Sequence, residues 1–202
     1  ECRLGHPIPF VKDLGSSGNL IHHAYLLSII EESLNVKVHE LNSLFEFGGG
    51  YGDMAKLFQN LGFEGEYVIY DFELFSALQS WYLSNLGFEV ETIKEFNELN
   101  GHKIHCLSGE PPIPTMDSIA NKEKSMFLAT WSLSETPIEY RAIFEAALSS
   151  FEYIVIAYQH EIEGLDNVAY FSDLKSNLTS HDWSDCVLEY QPGSSLLIGR
   201  RK

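Results

Sequence analysis

The spacing of apolar residues changes from one part of the chain to the next. Between residues 20 and 34, apolar side chains recur every three or four positions, which predicts an amphipathic helix capped by Asn19 and ending near Asn35. From residue 43 onward, short apolar runs alternate with helical stretches, as in buried parallel sheets. The predicted strands are 43–47, 66–70, 125–130 and 153–158, and the predicted helices are 53–61, 74–86, 138–149 and 167–177.

The pattern is less clear in some stretches of the chain. The third strand lies either at 88–92 or at 103–107, and the intervening residues 93–101 are interpreted as an insertion. The first eighteen residues and residues 109–117 are rich in glycine and proline. We therefore expect the first stretch to be irregular and the second to be a loop. Two closing strands at 186–190 and 195–199 flank a turn, which predicts a hairpin.

This order predicts an α/β fold of the Rossmann-like type. We expect a mostly parallel seven-stranded sheet with an antiparallel C-terminal hairpin and helices on both faces. A length of 202 residues suits one domain, with residues 1–42 as an irregular segment and covering helix and residues 43–202 as the catalytic domain. Ligands of such folds bind beyond the carboxyl ends of the strands, so residues just after each strand matter most.

The amino-acid composition excludes some classes of binding partner. The chain has 13 basic and 29 acidic residues, a formal charge of −16, which argues against nucleic acid and anionic membranes. Cys2, Cys106 and Cys186 are far apart and form no CxxC motif, so we expect a reducing, cytoplasmic location with no disulfide framework and no cysteine zinc site. The sequence has no HxH motif, no HExxH motif and no acids clustered at metal spacing, so we expect no metal site. No apolar run approaches the ~20 residues of a membrane span. Because the chain begins at Glu1, we expect it to be a piece of a longer protein.

The most informative segment is the glycine-rich stretch LFEFGGGYGDMAKLF at 44–58, between a predicted strand and a predicted helix. A turn this rich in glycine lets the backbone approach a ligand closely. The dinucleotide pattern GxGxxG would need glycine where Asp53 stands, and an aspartate there opposes a pyrophosphate. The spacing is instead GxGxG after an acid, which resembles the first motif of Rossmann-like methyltransferases. That resemblance implies S-adenosylmethionine (SAM), with its methionine part along Glu46, Gly48, Gly49, Gly50, Tyr51 and Gly52.

A second acid follows the next strand. Asp71 stands 23 residues after Gly48, close to the interval at which a carboxylate meets an adenosine ribose. The alternative is that Asp71 caps the next helix. Phe72 packs either beside the adenine or in the core.

Later strand ends supply candidates for the methyl acceptor. His160 is the preferred general base because imidazole titrates near neutral pH; the alternative is a solvated loop histidine. Glu135, the second catalytic candidate, either orients the acceptor or caps the next helix. Of the adjacent histidines at 22 and 23, at most one can face the pocket. The expected acceptor-binding residues are Trp131, Ser134, Tyr158 and His23.

Three segments together resemble the sugar O-methyltransferases of bacterial polysaccharide clusters: LFEFGGGYGDMAKLF, YVIYDFELFSALQSWYLSNLGF and FLATWSLSETP. The similarity covers residues 43–137 and implies methylation of a sugar hydroxyl during glycan assembly. Three alternatives stay open: another small-molecule acceptor, a NAD-dependent oxidoreductase, which Asp53 opposes, and a non-catalytic binding module. The sequence predicts neither the identity of the acceptor nor the oligomeric state.

Overall fold

The computed structural model describes residues 2–93 and 104–202. The strands in chain order are β1 (Pro9–Phe10), β2 (Asp13–Ser17), β3 (Ser43–Phe47), β4 (Glu66–Tyr70), β5 (Val90–Ile93), β6 (Ile104–Leu107), β7 (Ser125–Thr130), β8 (Tyr153–Gln159), β9 (Glu161–Ile162), β10 (Leu165–Asp166), β11 (His181–Val187) and β12 (Ser194–Arg201). The α-helices are α1 (Gly18–Leu34), α2 (Asp53–Asn60), α3 (Glu73–Asn85), α4 (Ile113–Ala120), α5 (Ile138–Leu148) and α6 (Asn167–Asn177).

Within the described residues, eight strands form the main sheet, in the order β11-β12-β8-β7-β3-β4-β6-β5. The six strands from β8 to β5 run parallel, whereas β12 is antiparallel to both β8 and β11. The predicted α/β architecture with a closing antiparallel hairpin is therefore confirmed. The order in which the strands follow one another reverses at β3, with β4 on one side and β7 on the other, so the ends of these three parallel strands lie side by side. Ligands bind at such a point in open α/β sheets.

The sheet was predicted to have seven strands, but it has eight in the part of the chain that the structure describes, because both candidates for the third strand form. Val90 in β5 pairs with Ile104 in β6, so the two segments are parallel neighbours at the sheet edge. The predicted insertion at 93–101 lies outside the described residues except for Ile93, which ends β5.

Three local predictions were wrong. Ser17, not Asn19, caps α1, because the Ser17 side chain accepts a hydrogen bond from the Leu20 N–H. The first eighteen residues include the small antiparallel pair of β1 and β2. The expected loop at 109–117 contains the start of α4, since proline is compatible with the first turn of a helix, where its missing N–H has no intrahelical partner.

Two apolar layers cover the sheet. One contains residues of α1, α2 and α3, and the other contains residues of α4, α5 and α6. Helix α1 joins the first layer through four buried residues, Leu26, Leu27, Ile30 and Leu34. Burying each such side chain contributes about 1.5–3 kcal/mol, so the helix is anchored firmly over the sheet. Among the described residues, no helix has the length and apolar character to cross a membrane.

Candidate active site

Two glycines of the turn between β3 and α2 make room for other parts of the chain. A Cβ on Gly48 would overlap the side chain of Ser132, which follows β7 and donates a hydrogen bond to the Phe47 carbonyl. A Cβ on Gly49 would lie 2.5 Å from Ile69 Cγ2 in β4. Glycine at these positions therefore lets the turn lie against the two neighbouring strand ends.

Gly50 has a different environment. Its φ is +55°, and a Cβ there would meet no atom within 4 Å. The open space in front of it is a cavity of about 790 Å³, a size ordinary for a small-molecule site. The cavity lies beyond the ends of β3, β4 and β7, and its walls include Phe47, Gly48, Gly50, Tyr70, Asp71, Phe72, Phe75, Gly109, Ser132, Glu135 and Tyr140.

Asp71 is held in position by the chain itself. Its Oδ1 accepts from the Phe72 N–H at 2.8 Å, and its Oδ2 accepts from the Gly50 N–H at 3.2 Å and from Gln79 Nε2 at 2.9 Å. Gln79 Nε2 also donates to the Gly50 carbonyl at 2.8 Å. We call this arrangement of Gly50, Asp71 and Gln79 the carboxylate clasp. It fixes Asp71 at the cavity wall, where burial raises the pKa of the carboxyl despite these hydrogen bonds.

Glu46 lies beneath the turn. Its side chain is fully buried, its Oε2 accepts from the Tyr67 hydroxyl at 2.9 Å, and it is not among the residues that line the cavity. Burial raises the pKa of Glu46 to about 8, although the Tyr67 hydrogen bond opposes the rise. The structure thus places Glu46 as a support for the turn.

Asp53, the first residue of α2, connects the turn to α1. Its Oδ2 accepts from Asn19 Nδ2 at 3.1 Å and lies 3.1 Å from His23 Nδ1, and its Oδ1 pairs with Lys56. Burial would raise the pKa of Asp53, but the hydrogen bonds from His23 and Lys56 outweigh it and lower the pKa. Asn19 also donates to the Tyr51 hydroxyl at 3.0 Å. These contacts hold the N-terminal half of α1 beside the glycine turn.

The loop after β7 begins with an unusual backbone. Trp131 has φ +66° and ψ −33°, outside the regions that a residue with a β-carbon normally adopts. Its N–H donates to the Ala157 carbonyl at 2.8 Å, and its carbonyl accepts from the Glu135 N–H at 3.2 Å. The surroundings of Trp131 therefore hold a conformation that costs of order 1–3 kcal/mol.

Arg141 of α5 supports the same loop from below. Its side chain is buried, and its guanidinium donates to the Thr136 carbonyl at 2.6 Å, to the Ser134 carbonyl at 2.6 Å and to Asn167 Oδ1 at 2.7 Å. The ring of Tyr170 lies 4.7 Å from the guanidinium carbon. Three directed bonds from one rigid group fix where the loop lies.

Comparison with solved structures gives many similar folds. The methyltransferase domain of bacterial CtHen1-CN matches with a TM-score of 0.61 at 10% identity, over 90% of this chain and 98% of that chain. Magnesium protoporphyrin IX methyltransferase from Synechocystis PCC 6803, solved with bound SAM, matches with a TM-score of 0.57 at 10% identity, over 92% and 80%. The mitomycin 7-O-methyltransferase MmcR matches with a TM-score of 0.57 at 10% identity, over 94% of this chain but 56% of its own length. The chain has the class I methyltransferase fold.

Comparison with family models and with curated sequences adds nothing to this, because neither gives a match. The resemblance to sugar O-methyltransferases seen in the sequence therefore stands on its residues alone. At 10% identity, the structural matches show the fold and leave the acceptor open.

The methyltransferase fold brings some predicted site residues to the cavity but not others. Of the acceptor candidates, Glu135 lines it and also accepts from Gln159 Nε2 at 3.0 Å. Tyr158 is 5% exposed and packs in the core, with its ring 4.5 Å from that of Phe171. Ser134 is also buried, and its Oγ contacts Gln159 Oε1 at 2.6 Å.

His160, the preferred general base, is engaged elsewhere. Its Nε2 lies 2.9 Å from Ser195 Oγ, and its N–H donates to the Gly193 carbonyl at 2.7 Å. It is not among the residues lining the cavity. These contacts describe a histidine that joins the end of β8 to β12.

Two residues important to the site were missed in the sequence. Gln79 had a signal, because it stands in phase with the other buried residues of α3, Ser76, Tyr82 and Leu83, and a polar residue on a buried face needs partners. Arg141 had a similar signal on α5, where it shares the buried face with Phe144 and Leu148.

Proposed function

We propose that this chain is a SAM-dependent methyltransferase that transfers a methyl group to a hydroxyl of a sugar-like acceptor. The observation that carries the proposal is the carboxylate clasp in a class I methyltransferase fold. Gly50 opens onto the cavity at the same wall where Asp71 is held by two backbone N–H groups and Gln79. A carboxylate so oriented suits a hydroxyl of a ribose.

The residues at the cavity fit SAM. Three hydrogen bonds within the chain use three of the about four acceptor sites of the Asp71 carboxylate, which leaves one for a ribose hydroxyl. Phe72 is 80% exposed at the cavity wall and offers an apolar surface to an adenine ring. The turn residues Gly48, Gly49, Gly50, Tyr51 and Gly52 would hold the methionine part. When bound, SAM supplies an activated methyl group on a sulfonium sulfur.

The acceptor part of the proposal rests on the residue resemblance to sugar O-methyltransferases. The strong negative charge of the chain favours an uncharged or cationic small molecule over nucleic acid. The cysteine spacing supports a cytoplasmic location as part of the same proposal.

Titration calorimetry tests the cofactor. SAM and S-adenosylhomocysteine are expected to bind with one-to-one stoichiometry, and NAD is expected to give no binding heat. Binding of NAD without binding of either adenosyl compound would overturn the proposal.

Transfer of labelled methyl tests the acceptor. The full chain is incubated with methyl-labelled SAM and either bacterial glycans or a panel of non-sugar hydroxyl compounds. Label on the glycans alone supports the sugar acceptor, and label on the non-sugar panel alone overturns that part of the proposal. Binding without any transfer favours a non-catalytic SAM-binding module.

A further inference from the structure

Four aromatic side chains from three segments meet around Trp131, which follows β7, the neighbour of β3 on the side away from β4 and Asp71. They are His22 and Tyr25 of α1, Trp131 after β7, and Tyr190 between β11 and β12. The ring centroid of His22 lies 4.8 Å from that of Trp131 and 5.1 Å from that of Tyr190, both edge to face. Tyr25 lies 5.1 Å from Tyr190, also edge to face. We call these four residues the aromatic cluster.

Trp131 and His22 form the inner half of the aromatic cluster, and each has a ring nitrogen that makes no hydrogen bond to a described residue. Trp131 Nε1 and His22 Nε2 are both buried, and neither has a hydrogen-bond partner among the described residues. A buried polar atom left without a partner costs about 1–3 kcal/mol. Trp183 differs, because its Nε1 donates to the Leu178 carbonyl at 3.2 Å. The pairing that Trp131 and His22 lack is what a bound molecule can supply.

The aromatic cluster adjoins the place where methyl transfer is proposed. Trp131 directly precedes Ser132, whose side chain abuts Gly48 and bonds to the Phe47 carbonyl. His22 directly precedes His23, which contacts Asp53 just after the turn. The strained backbone of Trp131 also belongs to this segment, and strain of this kind concentrates at functional sites.

The two free ring nitrogens have complementary chemistry. The indole Nε1 can only donate, whereas the Nε2 of a neutral imidazole can accept. A hydroxyl group fits this pair, because its oxygen can accept from the indole while its proton is donated to the imidazole. Burial, and then the neighbouring His23, lower the pKa of His22, which keeps its ring neutral at pH 7 and able to accept a proton.

We propose that the aromatic cluster binds the methyl acceptor, a hydroxyl on an uncharged six-membered ring, with Trp131 Nε1 donating to that oxygen and His22 Nε2 taking its proton. This inference rests on the proposed methyl transfer. As the oxygen bonds to the methyl carbon, its proton passes to His22, and the carbon–sulfur bond breaks with the electron pair remaining on sulfur. His22 thereby takes the role that the sequence assigned to His160.

The outer half of the aromatic cluster provides the entrance. Tyr25 and Tyr190 are 53% and 43% exposed, although Tyr190 packs directly against His22. A partly exposed ring at a loop can turn aside without disturbing the core. Tyr190 is the side chain that must move for an acceptor ring to reach the two nitrogens.

The indole N–H signals of the chain test this directly. The full chain is labelled with ¹⁵N, saturated with S-adenosylhomocysteine, and titrated with millimolar phenol or methyl α-glucopyranoside. The Trp131 indole signal, assigned with a Trp131→Phe variant, is expected to move and saturate with one of the two probes. The indole signal of Trp183, whose Nε1 already donates to the Leu178 carbonyl, is expected not to shift. The glucoside as the effective probe would support the sugar-like acceptor, whereas phenol would identify an aromatic acceptor and overturn the sugar part of the proposed function.

The remaining outcomes overturn either this inference alone or the proposed function together with it. If S-adenosylhomocysteine binds but neither probe moves the Trp131 signal, or if Trp183 shifts to the same extent, the aromatic cluster is not the acceptor site and the proposed methyl transfer survives. If S-adenosylhomocysteine does not bind, the proposed function fails and this inference fails with it.

A variant adds a second measurement. His22→Phe keeps a ring in the aromatic cluster but removes the acceptor nitrogen, so the affinity of the effective probe should fall about tenfold. His39→Phe is the matched control at an exposed histidine and should leave the titration unchanged. Equal probe affinity in His22→Phe and the native chain would remove His22 from the proposal, and the titration of the native chain does not depend on the folding of His22→Phe.

Discussion

Beyond β4, on one side of β3, Asp71 is held by three donors of the chain itself. Beyond β7, on the other side of β3, the ring nitrogens of Trp131 and of the adjoining His22 have no partner among the described residues. The carboxylate clasp is thus organised before any ligand arrives. The aromatic cluster is organised in shape, but its polar atoms are unsatisfied. The first arrangement suits a ligand whose contacts are the same in every catalytic cycle, and the second suits a ligand that completes the site when it binds.

The energetics of the two regions differ accordingly. Each hydrogen bond in the carboxylate clasp contributes about 0.5–1.5 kcal/mol net, and those to the charged carboxylate contribute more. The two unpaired nitrogens instead cost about 1–3 kcal/mol each. A bound hydroxyl would recover that cost, so acceptor binding gains more from these two atoms than their new bonds alone would give.

The largest effect is expected from Gly50→Val. The new side chain would enter the cavity on a backbone with φ +55°, so S-adenosylhomocysteine should bind at least about a hundredfold more weakly, as measured by calorimetry. Gly164→Val is the matched control, because Gly164 also has positive φ and open space but is not among the residues lining the cavity. Equal losses in both variants would show a folding defect and no role for Gly50 in binding.

Asp71→Asn tests the charge in the carboxylate clasp. The substitution keeps the shape but removes charged hydrogen bonds worth about 1.5–3 kcal/mol each, so the affinity for S-adenosylhomocysteine should fall at least about tenfold. Glu73→Gln changes a neighbouring carboxylate of the same cavity and serves as the control. A similar loss of affinity in both variants would mean that binding depends on the total negative charge of the cavity and that Asp71 has no special role.

Gln79→Leu separates positioning from folding. Leucine removes both bonds of Gln79 Nε2, but it also removes Gln79 Oε1, a buried atom without a partner among the described residues. Thermal stability should therefore change little, while affinity for S-adenosylhomocysteine should fall about fivefold to tenfold.

The double variant with Asp71→Asn sharpens this result. If Gln79 acts through Asp71, adding Gln79→Leu to Asp71→Asn should weaken binding by less than Gln79→Leu does alone. Additive losses in calorimetry would show that Gln79 supports the turn and has no share in orienting the carboxylate.

The sequence predicted the carboxylate clasp better than the aromatic cluster for a physical reason. Gly50 and Asp71 follow the two parallel strands of one strand–helix–strand unit, β3–α2–β4, so their approach follows from local spacing along the chain. The aromatic cluster joins α1, the loop after β7 and the β11–β12 connection, and no local spacing encodes that meeting. His160 shows the same limit, because its contact with Ser195 depends on how β12 pairs with β8.

Errors in the elements have equally specific causes. The strand between residues 104 and 107 and its neighbour at 90–93 are both short and apolar in part, and either alone satisfies a parallel sheet. Only the pairing of Val90 with Ile104 shows that both are used. The capping role predicted for Asn19 went instead to Ser17, since the Asn19 side chain bonds to Asp53 and Tyr51 across the turn.

The smallest effect on binding is expected from Glu46→Gln, beneath the glycine turn. The pKa of Glu46 is raised from 4.5 to about 8, so the folded chain keeps its proton at neutral pH. The stability that Glu46 contributes by keeping its proton in the folded chain is fully present below about pH 4.5 and is lost as the pH rises through about 8. Relative to the native chain, Glu46→Gln should therefore gain roughly 2 kcal/mol in the free energy of unfolding between about pH 6 and about pH 9, measured by urea denaturation.

The same variant decides what Glu46 does at the turn. A glutamine can still accept from Tyr67, so a supporting role predicts that affinity for S-adenosylhomocysteine at pH 7 changes less than about twofold. A tenfold loss, with no difference in the pH dependence of unfolding, would mean that an ionised Glu46 contacts the ligand. The turn would then contribute charge as well as backbone to the cavity, and the carboxylate clasp would extend under Gly49 to a second acid.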